Sequence, residues 1–402
     1  MIKKILIFTI IILVLIAVAL GIQIYLDNNQ NPSIARDQTQ KPGGIFGFLG
    51  FGSDFTTIPD VAELPNQTDQ DRPTFIPTLR KITEDPVAGV TFVGTSTLRY
   101  VDRGTGHIYE ESVNAYDLSK ISNTTIPKIY EATWLVSGKS VIYQQLENGV
   151  VKSKLIKILD TNIGTSTDSL REISIEFLPD NIKGLKVAPS TNEFAYLQDN
   201  SNTQSLVTIN GSGPFFVPGR GWVLDWPSTN TLSLTTKASY QSSGYNYDVT
   251  RAGGLSKKLG NISGLTTKSN SSWILYSDFV GTLGFNSLNR KTSTTTPLTP
   301  ATLPEKCVFL AENTALCGSP SNLGGSQYPD VWYQGLVSFD DNIVLYNLEM
   351  GESEIIYTPQ EPVDIVDPVI SSDGQYLMFI NKKDLSLWVL NITETGKSTS
   401  TF

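Results

Sequence analysis

Only one histidine, His107, is available in the chain to build a Ser-His-Asp triad. Its setting argues for a turn instead. It lies in Asp102-Arg-Gly-Thr-Gly-His-Ile-Tyr109 between two β-rich segments, where Gly104 and Gly106 permit the positive φ of a hairpin loop. No Gly-x-Ser-x-Gly elbow is present. One histidine and two cysteines cannot close a tetrahedral zinc site without carboxylates. Asp340-Asp341-Asn342 and the stretch from Asp364 to Asp367 match no calcium loop and read as solvated acidic turns. Gly211-Ser-Gly213 and Gly219-Arg-Gly221 lack the following helix and lysine of a phosphate loop. The expectation is therefore no catalytic residue, no metal, no cofactor and no enzymatic activity.

Cys307 and Cys317 flank Val-Phe-Leu-Ala-Glu-Asn-Thr-Ala-Leu. A hairpin centred on Glu312 would set them opposite each other on one sheet face and allow a disulfide in an oxidising compartment, the alternative being two buried thiols. Next comes a Gly/Ser/Pro-rich insertion holding Tyr328-Pro-Asp-Val-Trp-Tyr-Gln-Gly335. Tyr328, Trp332 and Tyr333 are candidate partner-binding residues, because Tyr and Trp grouped on a loop suit recognition. They equally suit a loop that folds back over a channel.

Strands must position these residues, because Ser, Thr, Gly, aromatic and β-branched residues dominate beyond residue 74. From there a turn followed by alternation recurs. Counting from one small or turn-forming residue, the positions four and six later are apolar or aromatic, as a half-buried strand requires. The copies start at Gly94 (Leu98, Tyr100), Ser137 (Val141, Tyr143), Ser190 (Phe194, Tyr196), Ser228 (Leu232, Leu234), Ser269 (Trp273, Leu275), Ala311 (Ala315, Cys317) and Ser372 (Tyr376, Met378). The mean period of about 46 residues suits a four-stranded propeller blade. Ala132-Thr133-Trp134, Leu185-Lys186-Val187 and Leu224-Asp225-Trp226 read as inner strands entering a hairpin.

The last copy runs from Pro368 through Ser-Ser-Asp-Gly to Phe379, then Leu385-Ser-Leu-Trp-Val-Leu-Asn391. It resembles the repeat of TolB-type and WD-repeat-like β-propellers. That resemblance implies blades around a central channel used for protein or peptide contacts, and no single reaction. The expected fold is all-β, a seven-bladed propeller over residues 74–402 preceded by one transmembrane helix and a linker. Residues after 391 are too polar for a buried strand. The outermost strand of the last blade should therefore come from residues 77–83, pairing with 385–391.

Ile5 to Leu26 is interrupted only by Thr9, Gly21 and Gln23, long enough to span a membrane as a helix. Lys3 and Lys4 before it and Asp27 after it orient the propeller outside the cytoplasm. A cleaved signal peptide, with Ala17-Val18-Ala19 as its cleavage site, leads to the same compartment. Residues 1–26 are thus expected to anchor the chain, with membrane contact through residues 5–26, and residues 27–73 to tether it. Within the tether, Phe46, Phe48, Leu49 and Phe51 sit among glycines. A net charge of −9 with no basic block in the soluble part argues against nucleic acid. The expected role is a membrane-anchored, extracytoplasmic scaffold binding a protein, peptide or glycan. The alternative is a glycan-active enzyme with two carboxylates ~5–10 Å apart at the channel mouth.

Overall fold

The computed structural model describes residues 76–163, 170–199, 204–210, 212–324 and 327–396. The expected anchor, tether and Gly/Phe stretch lie outside them. Among the described residues no helix is long and apolar enough to cross a membrane.

Seven four-stranded antiparallel sheets are formed, the blades of a propeller. Blades 1 to 6 cover residues 87–122, 129–177, 183–218, 222–263, 267–297 and 307–357 in chain order, and blade 7 covers 365–391. The first strands, Val87–Val93, Ile129–Trp134, Lys183–Val187, Trp222–Ser228, Thr267–Ser269, Cys307–Ala311 and Ile365–Ile370, neighbour one another around the axis. They form the channel wall.

The repeat read from sequence marks the second strand of every blade. All fourteen of its apolar positions are buried, from Leu98 and Tyr100 in blade 1 to Tyr376 and Met378 in blade 7. The reason is geometric. A residue four beyond the turn and its neighbour two further on share one sheet face, and that face packs on the adjoining blade. Blade 1 thus shares a core with blade 7 through Val90, Leu98, Met378 and Val389.

Blade 7 has only three strands of its own. Leu79–Lys81 supplies the fourth, with Leu79 opposite Leu390, Arg80 opposite Val389 and Lys81 opposite Trp388. Backbone bonds Ile82 N–H to Leu387 O (2.7 Å) and Asn391 N–H to Thr78 O (2.7 Å) extend the ladder. The expected closure is therefore present. Arg80 also reaches blade 1, donating to Glu111 Oε1 (3.0 Å) and to the carbonyls of Ala115 and Ser112 (3.0 and 3.1 Å). A single 4%-exposed arginine thereby ties both sides of the seam.

Candidate functional site

Inner strands that are otherwise apolar carry isolated charges, which turn to the channel because the spaces between blades are filled by Leu, Ile and Trp. Leu224 and Trp226 are buried between blades, and Asp225 between them lines the channel. Lys186, Lys268 and Asp367 reach the same space from blades 3, 5 and 7. Glu305 joins them from the helical turn Pro304–Lys306 that leads into blade 6. Together with Lys237 and Tyr333 these residues line an axial cavity of about 380 Å³, with the exposed Val223 as apolar wall.

Protein surrounds the deeper groups and shifts their titration. Burial lowers the Lys268 ammonium, the nearby Lys186 adds to that, and Asp225, Asp367 and Glu305 oppose it. Burial raises the Glu305 carboxyl against the pull of the Tyr333 hydroxyl and Lys268. Glu131 of blade 2 is raised by burial and by Asp367, with Lys186 opposing. Asp225 is fixed in place by the backbone N–H groups of Trp226 (3.0 Å) and Ser269 (2.8 Å).

The insertion of blade 6 folds back over one end of the channel. Tyr328 and Trp332 are buried with Leu283, Leu303 and Phe339, so these two candidate contact residues face inward. Tyr333 alone stays open, 49% exposed, its hydroxyl donating to Glu305 Oε1. Gly264, just after blade 4, makes the docking possible, since a Cβ there would lie 2.9 Å from Tyr328 O and its φ is +67°. The anchor of the loop is Asp364, which accepts from Trp332 Nε1 (3.0 Å), Ser338 Oγ (3.2 Å) and Phe339 N–H (3.1 Å).

Two acidic turns therefore need correction. Asp341 and Asp364 are fully buried rather than solvated, because Lys306 enters between them at 2.7 and 2.5 Å. Asp340 and Asp367 are exposed as expected. Cys307 and Cys317 lie directly opposite in register and form a disulfide with Cα atoms 4.0 Å apart, slightly closer than the usual ~4.4–6.8 Å. His107 sits in a tight turn in which Asp102 Oδ1 accepts from Thr105 N–H (2.7 Å), and its Nε2 meets Thr125 Oγ1 at 3.1 Å. No group of three or more metal-ligating side chains occurs among the described residues.

Fold and site define the class: an all-β, seven-bladed propeller with a charged axial cavity. No family model matches the chain, and no curated protein matches its sequence. Solved structures match its fold. The β-propeller domain of the Trilobed protease from Pyrococcus furiosus has a TM-score of 0.51 at 10% identity, covering 78% of this chain and 99% of that one. That domain has an open velcro topology, whereas the ring here is closed by Leu79–Lys81. Virginiamycin B lyase from Staphylococcus aureus has a TM-score of 0.48 at 12% identity, with 78% and 98% covered. An acylaminoacyl peptidase has 0.46 at 9% identity, with 76% and 52% covered. The expectation that the chain is not an enzyme is corrected here, because the same architecture occurs as a domain of a protein named as a protease and does not exclude enzymatic activity. At these identities the likeness concerns the fold alone.

Proposed function

We propose that the chain is a membrane-tethered protein of the cell envelope whose propeller, held outside the cytoplasm, binds a protein, peptide or glycan at its axial cavity. The observation that carries this reading is that cavity: six charged side chains, Lys186, Asp225, Lys237, Lys268, Glu305 and Asp367, converge on one space of about 380 Å³, within the ~300–1,000 Å³ range of ligand clefts. The apolar run from Ile5 to Leu26 behind Lys3 and Lys4 supports the tether, and the Cys307–Cys317 bridge fits an oxidising compartment. A photo-crosslinking residue at Ala238, on the cavity wall, should capture a partner in intact cells, and one at the exposed Phe216 should not. Equal capture from both positions, or none from Ala238, would refute the site. For the topology, Ser53→Cys should react with an impermeant thiol reagent before lysis. Labelling only after lysis would reverse the orientation.

A second reading places catalysis at the same site. Its support is that Asp225, Glu305 and Asp367 share the cavity while burial raises Glu305 toward the protonated form a general acid needs. In that case Glu305→Gln abolishes hydrolysis of a glycan substrate and leaves its binding intact. Absence of turnover by the unaltered protein across aryl glycosides of several sugars ends this second reading.

A further inference from the structure

Lys186 and Lys268 line one cavity, and each lies in the field of the other. Among the described residues neither ammonium has a hydrogen bond or a carboxylate within 4.0 Å. The contrast with Lys306 of the same propeller is sharp, since that ammonium is held by two carboxylates at 2.7 and 2.5 Å. Two like charges facing one cavity repel one another, and one anion placed between them removes that cost. The rest of the wall limits which anion fits. Asp225, Glu305 and Asp367 line the same space as Lys186, Lys268 and the exposed Lys237, so a doubly charged phosphate meets repulsion from three carboxyl groups that a single carboxylate meets less. Asp225 is committed to two backbone N–H groups, and Glu305 gives one oxygen to Tyr333. The other oxygen of Glu305 is buried, so Asp367, exposed in the cavity, remains to face a cation.

Resting on the axial cavity as the binding site, we propose that its ligand belongs to the amino-acid or short-peptide class. The free carboxylate sits between Lys186 and Lys268, an amine sits against Asp367, and the aliphatic stem lies on Val223. Recognition needs both signs at once. A neutral glycan satisfies neither lysine, and a polyanion meets three carboxylates.

Calorimetry on the full-length chain in detergent micelles tests this with the tripeptide Gly-Ala-Lys, its C-terminal amide and N-acetyl-Gly-Ala-Leu, beside free L-lysine to separate a peptide from an amino acid. The free-acid tripeptide or L-lysine should bind, and amidation should weaken the tripeptide at least tenfold. Lys186→Met or Lys268→Met, each with an unchanged melting temperature, should weaken the free acid tenfold and erase the acid–amide difference. Asp367→Asn should weaken Gly-Ala-Lys but not N-acetyl-Gly-Ala-Leu. An amide that binds as well as the acid, or a Lys268→Met variant that binds like the parent, overturns the carboxylate clamp. If none of the probes binds while the Ala238 cross-linker captures a partner, the ligand class is wrong and the site stands. If both fail, both readings fall.

Discussion

Lys306 shows how much one side chain decides. It is fully buried, it holds Asp341 and Asp364, and its ammonium lies 5.3 and 5.1 Å from the ring centroids of Trp332 and Phe339. Replacing it by Met leaves two buried carboxylates without a cation, which costs about 3–5 kcal/mol. Urea unfolding at pH 7 should show a loss of that size, and a loss under 1 kcal/mol would mean that water replaces the ammonium. Burial also pushes the Asp341 carboxyl up to about 6, although Lys306 pulls it down. The folded protein thus holds this proton more tightly than the unfolded chain, whose aspartates titrate near ~3.9. The stability from Asp341 is complete below that value and is lost as pH rises through about 6, with a slope of at most about 1.4 kcal/mol per pH unit. Asp341→Asn should flatten unfolding free energy against pH between about 4 and 6. An unchanged slope would show that Asp341 is ionised throughout. None of this was legible in Asp-Asp-Asn or in Pro-Glu-Lys, because a buried ion pair joins residues dozens of positions apart.

At the scale of the element, the blade 6 hairpin was legible because it is local. Cys307 and Cys317 lie ten residues apart about one turn, so strand alternation alone places them face to face. Closing a loop this short stabilises by about 2–3 kcal/mol on chain-entropy grounds. The double replacement Cys307→Ser with Cys317→Ser should lower unfolding free energy by that amount and leave the strand content by circular dichroism unchanged. Loss of all strand signal would assign the bridge a larger role than closing its own hairpin. The neighbouring insertion was only half legible. Its aromatic residues announced a purpose, but choosing between recognition and sealing needed Asp364 and Gly264, which flank blades 7 and 4. The cavity charges were harder still. Lys186 and Asp225 stand out as single charges in Leu-Lys-Val and Leu-Asp-Trp, and that interruption was the usable signal. Lys268 and Glu305 carried none, since Thr-Lys-Ser and Pro-Glu-Lys look like surface turns.

At the scale of the molecule, the ring is held by a strand whose nearest paired residues, Lys81 and Trp388, lie 307 positions apart in sequence. Deleting residues 76–83 exposes the Leu387–Asn391 edge and leaves Glu111, a carboxyl already raised by burial, without Arg80. The deleted protein should melt at lower temperature and associate, and a synthetic peptide of residues 76–83 should restore the melting temperature by adding the strand in trans. A deletion variant as stable and monomeric as the parent would show that the seam does not depend on this strand.

The sequence by itself determined the all-β class, the seven repeats, the hairpin disulfide and the origin of the closing strand. Each rests on alternation about a nearby turn, or on a final blade with too few apolar segments of its own. Only the tertiary structure decided which charges meet on the axis and that Lys306 lies between Asp341 and Asp364. It also decided that Tyr328 and Trp332 are covered while Tyr333 stays open. The physical reason is that a propeller brings each blade's first strand to one axis. Residues with no neighbourhood along the chain become one electrostatic site only after the ring has closed.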